Sequence, residues 1–323
     1  MKAAICKAYG PPDSVVVEDV PDPVPGPGQV LVRIRAAGVN YPDGLLVQGK
    51  HQYRPEPPFL FGGELAGIVE ALGPGVDSLQ PGQRVYGSRM RGAFAEAIAV
   101  EADKLQAIPD GLSFEQAAAL STTYNTSYYA LALLGRLQAG ETVLVLGAAG
   151  GVGLAALEIA KAMGARVIAA ASSVEKLRVC AAAGADVLID YETENLRERL
   201  RTLAPDGVNV VYDPVGGRYA EPSLRALAWR GRYLVVGFAS GDIPKIPLNL
   251  VLLKGADVIG VFLGETWTRE PETMREIDAA MAALIAAGKI RPLVSASYPM
   301  EKIADALNAL LERRVTGKIV LRP

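Results

Sequence analysis

The sequence contains very few residues that bind transition metals or form disulfide bonds. Its 323 residues include two cysteines, Cys6 and Cys180, and one histidine, His51. Two thiols form neither a disulfide framework nor a four-thiolate zinc site, and one imidazole excludes a metal site made of several histidines from one chain. The composition therefore predicts no protein-bound catalytic metal. Scarce thiols suit a reducing compartment, so we expect a cytoplasmic location.

An excess of charge of either sign is also absent. Lysine and arginine total 33, and aspartate and glutamate total 35, which gives a net charge of −2 at pH 7. This balance provides no overall field that attracts nucleic acid or an anionic membrane. The longest uncharged run, residues 116–135, contains several hydroxyl and amide side chains that are costly in lipid. We interpret it as helices of a soluble domain, and we expect neither a nucleic-acid partner nor a membrane partner.

The chain has two regions with different patterns. At about 150 residues per domain, 323 residues predict two domains. In the first third, strand candidates at residues 15–20, 30–35 and 65–70 are separated by proline- and glycine-rich turns, which predicts an antiparallel barrel or sandwich. After about residue 114, apolar strands alternate with helices. This alternation predicts a doubly wound parallel sheet, with residues 257–263 as its sixth strand.

A glycine-rich turn joins the first apolar strand of the second region to a helix. Residues 148–153 match the pattern G-x-G-x-x-G, with Ala148 at the first glycine position and then Gly150 and Gly153. Gly150 would let the backbone approach a pyrophosphate, and Gly153 would let the helix pack closely on the strand. The free N–H groups at the helix start would face the phosphate charge. The alternative is a tight strand-to-helix turn without a ligand, but the repeating strand–helix context favours dinucleotide binding.

The end of the next strand indicates which dinucleotide is bound. An NAD site usually has a carboxylate about 20 residues after the glycines, whereas this chain has Ala171, Ser172 and Ser173 there, followed by Lys176. Small hydroxyls and a cation accept a 2′-phosphate that a carboxylate would repel, so NADPH is favoured over NADH. Alternatively, Ser172 caps the following helix and Lys176 is a solvated charge. We expect the nearby Glu175 to point away.

Four stretches carry a family resemblance. They are residues 36–43 (Ala-Ala-Gly-Val-Asn-Tyr-Pro-Asp), 62–69 (Gly-Gly-Glu-Leu-Ala-Gly-Ile-Val), 124–128 (Tyr-Asn-Thr-Ser-Tyr) and the glycine-rich turn. Together with the order of the regions, they resemble the medium-chain dehydrogenase/reductase superfamily. Within it, the chain resembles the zinc-independent NADPH:quinone oxidoreductases of the ζ-crystallin type over almost its whole length.

The resemblance implies both the fold and the domain boundaries. The expected architecture is a Rossmann doubly wound parallel sheet plus a GroES-like β-rich catalytic domain. Residues 1–122 and 265–323 would form the GroES-like domain, and residues 123–264 would form the Rossmann domain that binds NADPH. The substrate would lie over the nicotinamide, in the cleft between the two domains.

The resemblance also restricts the chemistry. Zinc alcohol dehydrogenases have a cysteine where this chain has Asn40, and Gly-His-Glu where it has Gly62-Gly63-Glu64. Without a Lewis acid, a hydride from NADPH needs an acceptor that is already electron-poor. A quinone meets this condition. A reductase of α,β-unsaturated carbonyls, such as 2-alkenals, enones or enoyl thioesters, stays open as an alternative, as does a cofactor-binding protein with little turnover.

Site residues follow from the matched positions. The resemblance places Asn40, His51 and Tyr53 near the chemistry. His51 stands where the family usually has a tyrosine, so His51 and Tyr53 are both candidates for the proton donor. No metal ligand is expected. The cofactor contacts implied by the resemblance are Asn40, Thr126, Gly150, Gly151, Val152, Gly153, Ser172, Lys176, Tyr191, Gly237, Phe238, Ala239, Val261, Phe262, Leu263 and Lys318.

Three further expectations concern structure and assembly. Asp43 is expected to fix a turn or cap the following helix. Asp213 lies at the end of a predicted strand, where it either meets a ligand or orders the turn. The apolar strand at residues 257–263 would lie at a sheet edge. In family members this edge meets its equivalent in a twofold dimer, so we expect a homodimer.

Overall fold

The computed structural model describes all 323 residues, and their contacts separate the chain into two units. The first unit comprises Met1–Thr122 and Pro292–Pro323, and the second comprises Thr123–Arg291. This division shares its first boundary with the one expected from the sequence. The chain returns to the first unit at Pro292, however, and not at residue 265.

The strands and helices, numbered in chain order, are as follows. The strands are β1 (Lys2–Cys6), β2 (Val16–Asp19), β3 (Gln29–Val39), β4 (Phe59–Leu60), β5 (Glu64–Leu72), β6 (Arg84–Ser88), β7 (Ala97–Glu101), β8 (Leu105–Ala107), β9 (Thr142–Leu146), β10 (Arg166–Ala171), β11 (Val187–Asp190), β12 (Val208–Asp213), β13 (Leu227–Val235), β14 (Asp257–Gly260), β15 (Val294–Pro299) and β16 (Lys318–Arg322). The helices are α1 (Tyr41–Val47), α2 (Phe114–Ala117), α3 (Thr123–Tyr128), α4 (Gly151–Ala162), α5 (Val174–Ala182), α6 (Leu196–Leu203), α7 (Ala220–Arg225), α8 (Leu248–Lys254), α9 (Leu263–Arg269), α10 (Pro271–Ala286) and α11 (Ile303–Leu311).

The first unit is mainly antiparallel, as its strand and turn pattern predicts. Seven strands form one sheet with the order β15-β16-β3-β5-β6-β8 and with β7 paired to β3, and a second sheet has the order β2-β1-β4. Only β15 and β16 run parallel to each other. Alternate residues of β3, including Val30, Val32 and Ile34, are buried, and they form the core with residues such as Leu65 and Phe61.

The second unit is a six-stranded parallel sheet flanked by helices. Its strand order is β11-β10-β9-β12-β13-β14, which is the order of a Rossmann fold and confirms the predicted doubly wound sheet. The central strands β9, β10 and β12 are mostly apolar because both faces of a parallel sheet are covered. The sixth strand is shorter than the sequence predicts. Val261 still donates its backbone N–H to Val235, but the chain then turns, and α9 begins at Leu263.

The packing of α9 and α10 within the second unit explains why the chain returns to the first unit at Pro292 and not at residue 265. Helix α10 packs against α9 and α3, and its residues Met274, Ile277 and Met281 are buried. Asn125 on α3 also donates its Nδ2 to Asp278 Oδ1 on α10, at 3.4 Å. These contacts assign α9 and α10 to the unit of the parallel sheet.

The long uncharged run is divided among short helices. It contains the end of α2, all of α3 and a π-helical turn at Tyr129–Leu134. None of the helices in the structure combines the length and the apolar character needed to cross a bilayer.

Helix α1 begins at a buried carboxyl group. The backbone N–H of Asn40 donates to Asp43 Oδ2 at 2.8 Å, so Asp43 holds the start of the helix, as expected. Burial raises the pKa of Asp43 to about 7, and the negative charge of Glu64 acts in the same direction. The Asn40 N–H and the Lys318 ammonium oppose this shift.

The raised pKa of Asp43 predicts that stability declines with pH. Between about pH 4 and pH 7, the folded protein holds a proton that the unfolded chain has lost, so the free energy of unfolding falls as the pH rises. An Asp43→Asn variant keeps an acceptor for Asn40 but cannot titrate. The wild-type free energy of unfolding, minus that of the variant, should fall by about 2–4 kcal/mol between pH 4.5 and 7.5 in urea unfolding.

The matched control is Asp305→Asn, which removes an exposed carboxylate of an ion pair with Lys302 in the same unit. Its pH profile should follow that of the wild type. Parallel pH profiles for the wild type and Asp43→Asn would contradict the assignment of a proton to Asp43.

Candidate functional site

Three strands of the first unit bring a lysine, an asparagine and a glutamate together. Ile319 on β16 lies opposite Val39 on β3, and Gly38 lies opposite Glu64 on β5. This register places Lys318, at the start of β16, beside Asn40, which directly follows β3. The Lys318 Nζ is 2.6 Å from Asn40 Oδ1 and 2.9 Å from Glu64 Oε2. The pattern of apolar residues in these strands does not predict that Lys318 contacts Asn40 and Glu64.

All three side chains of the cluster are buried. The exposed fractions are 5% for Lys318, 9% for Asn40 and 0% for Glu64. Glu64 also accepts the Asn40 Nδ2 at 3.1 Å and, through its other oxygen, the backbone N–H of Thr122 at 2.9 Å. Lys318 was expected to reach toward the cofactor, but its ammonium contacts Asn40, Glu64 and the Val39 carbonyl oxygen, at 3.4 Å. These three acceptors match its three N–H groups.

His51 and Tyr53 form a separate local turn. The backbone N–H of Tyr53 donates to His51 Nδ1 at 3.1 Å, and the Tyr53 side chain is partly exposed. The structure shows no hydrogen bond from either side chain to the cluster of Lys318, Asn40 and Glu64. Neither residue is therefore held by this cluster as a proton donor.

In the second unit, the glycine-rich turn has the geometry that its sequence predicts. Gly147 has a φ of +56°, and Gly150 is the N-cap of α4. A Cβ atom on Gly153 would lie 2.4 Å from the Gly147 carbonyl oxygen and 2.7 Å from the Ala148 Cα. Only glycine therefore allows α4 to approach the turn this closely. The first backbone N–H groups of α4, including those of Gly151, Val152 and Gly153, have no acceptor within the helix.

Helix α3 is hydrogen-bonded to the same turn. Ser127 Oγ donates to the Thr123 carbonyl at 2.8 Å and lies 3.0 Å from the Val152 carbonyl oxygen. The buried Tyr212 hydroxyl lies 2.9 Å from the same Ser127 oxygen. Thr126, the preceding residue, is half-buried. The position of Thr126 is thus tied to the start of α4, a link that the sequence motif alone did not reveal.

The end of β10 brings together the predicted phosphate-binding residues. The Lys176 Nζ donates to Ser172 Oγ at 3.1 Å, and the Tyr191 N–H donates to the Ala171 carbonyl at 3.1 Å. Ser173, not Ser172, caps α5, because its Oγ accepts the Lys176 N–H at 3.3 Å. The Ser172 hydroxyl is therefore oriented by Lys176 and does not cap the helix.

Glu175 lies at the exposed start of α5, beside this group. Hydrogen bonds from its own backbone N–H and from Ser173 lower the pKa of its carboxyl group. The carboxylate is therefore held at the helix N-terminus, where a negative charge is favourable.

Asp213 orders the turn after β12. Its Oδ1 accepts the N–H groups of Val215 at 2.7 Å and Gly216 at 2.8 Å, and its Oδ2 accepts the Tyr233 hydroxyl. Burial raises the pKa of Asp213, and these hydrogen bonds oppose the shift. Since the carboxylate is saturated by its own unit, the geometry supports the turn-ordering interpretation.

The remaining predicted contacts follow parallel strands. Because β9, β12, β13 and β14 are parallel, the segments after them gather at one edge of the sheet, where α/β proteins bind ligands. These segments contain Gly237, Phe238 and Ala239 after β13, and Val261, Phe262 and Leu263 after β14. Phe238 and Phe262 are both exposed at this edge.

Comparison with known proteins identifies both units. Residues 26–110 match the family model described as an alcohol dehydrogenase GroES-like domain, and residues 151–281 match the one described as a zinc-binding dehydrogenase. The side chains around Asn40 do not fit zinc. Asn40 and Gly63 stand where zinc alcohol dehydrogenases have a cysteine and a histidine, and Glu64 is already paired with the Lys318 ammonium. No group of three or more histidine, cysteine, aspartate or glutamate residues is arranged to hold a metal ion.

The similar proteins cover nearly the whole chain. It is 39% identical to a quinone oxidoreductase-like protein 2 homolog of Nematostella vectensis, over 99% of this chain and 88% of that protein. It is 37% identical to a quinone oxidoreductase of Pseudomonas aeruginosa, over 98% of both chains. The structure of Escherichia coli quinone oxidoreductase complexed with NADPH matches with a TM-score of 0.93 at 31% identity, over 100% of both chains. The chain therefore belongs to the quinone oxidoreductase family of the medium-chain dehydrogenases/reductases.

Proposed function

We propose that this protein is an NADPH-dependent reductase that transfers hydride to a quinone-type acceptor without zinc. The observation that carries the proposal is the pairing of Lys176 with Ser172 at the end of β10, beside Ala171, where an NAD site would have a carboxylate. The relatives named as quinone oxidoreductases, one of them crystallised with NADPH, support both the cofactor and the acceptor.

The residues present fit the proposed cofactor. The N–H groups at the start of α4, from Gly151 to Gly153, would bind the pyrophosphate, and Gly153 lets α4 begin close to the turn after β9. Lys176, Ser172 and Tyr191 would surround the 2′-phosphate. Thr126, the segment Gly237-Phe238-Ala239 and the segment Val261-Phe262-Leu263 would line the rest of the cofactor.

The acceptor follows from what the chain can supply. Bound NADPH provides the hydride, and the chain contributes positioning and exclusion of water. A quinone takes its proton on oxygen, which solvent can deliver, whereas an enone must take a proton on carbon from a well-placed donor. Because neither the His51 nor the Tyr53 side chain is hydrogen-bonded to the buried cluster of Lys318, Asn40 and Glu64, no donor to carbon is held there, which favours the quinone.

A comparison of acceptors tests the reaction class. With NADPH, we expect turnover of quinones to exceed that of 2-alkenals, enones and enoyl thioesters, measured as kcat/KM in steady state. Exhaustive chelation should leave the quinone activity unchanged, because the donor set around Asn40 does not fit zinc. Enone turnover above quinone turnover would favour the alternative reductase, and nucleotide binding without turnover of any acceptor would favour a binding protein. Stoichiometric zinc in the purified active protein, together with loss of activity when that zinc is removed, would refute zinc independence.

Cofactor choice is tested by changing Lys176 and Ala171. Lys176→Ala removes a charge-assisted contact of about 1.5 kcal/mol, so kcat/KM for NADPH should fall about tenfold while that for NADH barely changes. Ala171→Asp places a negative charge beside the phosphate and offers the NADH ribose an acceptor, so the preference should shift further toward NADH. The matched control is Arg201→Ala, which removes an exposed cation on α6. Equal losses for both nucleotides in Lys176→Ala, or a wild-type preference for NADH, would contradict the assignment.

The exposed edge of the parallel sheet supports the expected homodimer. Strand β14 pairs only with β13, and apolar residues near it, including Val258, Trp229 and Leu252, are exposed. A second copy of the chain, paired edge to edge, would cover them.

Light scattering measures this assembly directly. The wild type should have twice the 34.0 kDa mass of the chain, and Val258→Lys should shift it toward the monomer at micromolar concentration. Met90→Lys, at an exposed methionine of the other unit, is the control and should leave the mass unchanged. A wild-type monomer would refute the dimer.

A further inference from the structure

A carboxylate follows the strand next to the proposed phosphate-binding residues. Ala171, the last residue of β10, lies opposite Asp190 on β11, and Tyr191 donates its backbone N–H to the Ala171 carbonyl at 3.1 Å. Glu192 comes directly after Tyr191 and therefore leaves the sheet beside the segment that begins at Ser172. A negative charge at this edge of the sheet would repel a bound 2′-phosphate.

Arg218 neutralises this carboxylate from the turn after β12. Its Nη2 donates to Glu192 Oε2 at 2.6 Å and to the Tyr219 hydroxyl at 2.8 Å. The Tyr219 hydroxyl in turn donates to Glu192 Oε1 at 2.6 Å, so both carboxylate oxygens are bonded to this turn. Asp213 orders the preceding residues of the same turn, which fixes where Arg218 leaves β12.

Two aromatic rings connect the ion pair to the phosphate-binding residues. The centroids of the Tyr219 and Tyr191 rings are 4.3 Å apart. The Cζ of Arg218 lies 4.9 Å from the centroid of the Tyr219 ring, and Tyr219 itself is buried. The ion pair is therefore held one ring away from Tyr191.

The ion pair matters for its charge more than for its stability. The side chains of Arg218 and Glu192 are 67% and 46% exposed, and ion pairs this exposed add little to the free energy of unfolding. Their charges nevertheless cancel beside Tyr191. Without the guanidinium, the local charge would fall by one unit, and a phosphate about 10 Å away would feel this change at low ionic strength.

We propose that Arg218 is a specificity-determining residue, which neutralises Glu192 so that the 2′-phosphate of NADPH can bind at the neighbouring Lys176. This inference rests on the proposed function, because it takes the 2′-phosphate to lie at Lys176 and Ser172. It gives the turn after β12 a part in the choice between NADPH and NADH, without contact between Arg218 and the nucleotide.

A double-mutant cycle, with affinities measured by fluorescence titration at low ionic strength, separates the charge of Arg218 from its packing. Arg218→Gln should weaken NADPH binding about fivefold and leave NADH binding nearly unchanged, because NADH has no 2′-phosphate. The double variant Arg218→Gln with Glu192→Gln restores the local charge, so its NADPH affinity should return to within about twofold of the wild type. Arg218→Lys, which keeps the cation, should bind NADPH as the wild type does.

The matched control is Arg225→Gln. Arg225 lines the same open surface cavity as Arg218 and forms a comparable ion pair with Glu221, but this pair lies on α7 and not at the end of β11. The control should change the NADPH affinity by less than about twofold. The Tm of every variant should stay close to the wild-type value, because both ion pairs are exposed.

The outcomes distinguish this inference from the function on which it rests. Unchanged NADPH affinity in Arg218→Gln, or equal losses for NADPH and NADH, would overturn it. A double variant as weak as Arg218→Gln would also overturn it, because the guanidinium would then bind the phosphate directly. In each case a wild-type preference for NADPH would leave the proposed function intact. A wild type that binds neither nucleotide, or that prefers NADH, would instead refute the proposed function, and this inference with it.

Discussion

The ion pair between Lys318 and Glu64 is the interaction on which the first unit's polar site depends. A buried pair costs desolvation energy that only good geometry and further hydrogen bonds offset. Here each N–H of Lys318 has an acceptor, and both oxygens of Glu64 have donors. Because Lys318 belongs to the last strand and Glu64 to a strand near the N-terminus, the site is complete only when β16 has joined the sheet. The cluster of Lys318, Asn40 and Glu64 therefore requires the pairing of β16 with β3.

A lysine at this position does different chemistry from a metal ion. Zinc would polarise a ligand oxygen directly, whereas an ammonium with three occupied hydrogen bonds acts through the groups that it orients. In the first unit, the Lys318 ammonium fixes the orientation of the Asn40 amide, and in the second, a separate set of contacts pairs Lys176 with Ser172.

Local signals predicted those parts of the structure that depend on local sequence. The alternation of apolar strands and helices predicted the parallel sheet, and the spacing of Gly150 and Gly153 predicted the turn before α4. The pairing of Lys318 with Glu64 could not be predicted in this way, because it depends on the registers of three strands that are far apart in sequence. The assignment of α10 was missed for a similar reason, since an apolar helix face does not reveal which sheet or helix will cover it. At Ser172 and Ser173, two adjacent hydroxyls made the choice of helix cap ambiguous.

X-ray diffraction at the zinc absorption edge, from crystals of the NADPH complex grown with zinc, tests the central claim most directly. The account predicts no anomalous peak between Asn40 and Glu64, with the Lys318 Nζ still within hydrogen-bond distance of both side chains. An anomalous peak about 2.0–2.2 Å from the Glu64 carboxylate, with Lys318 turned away, would contradict it.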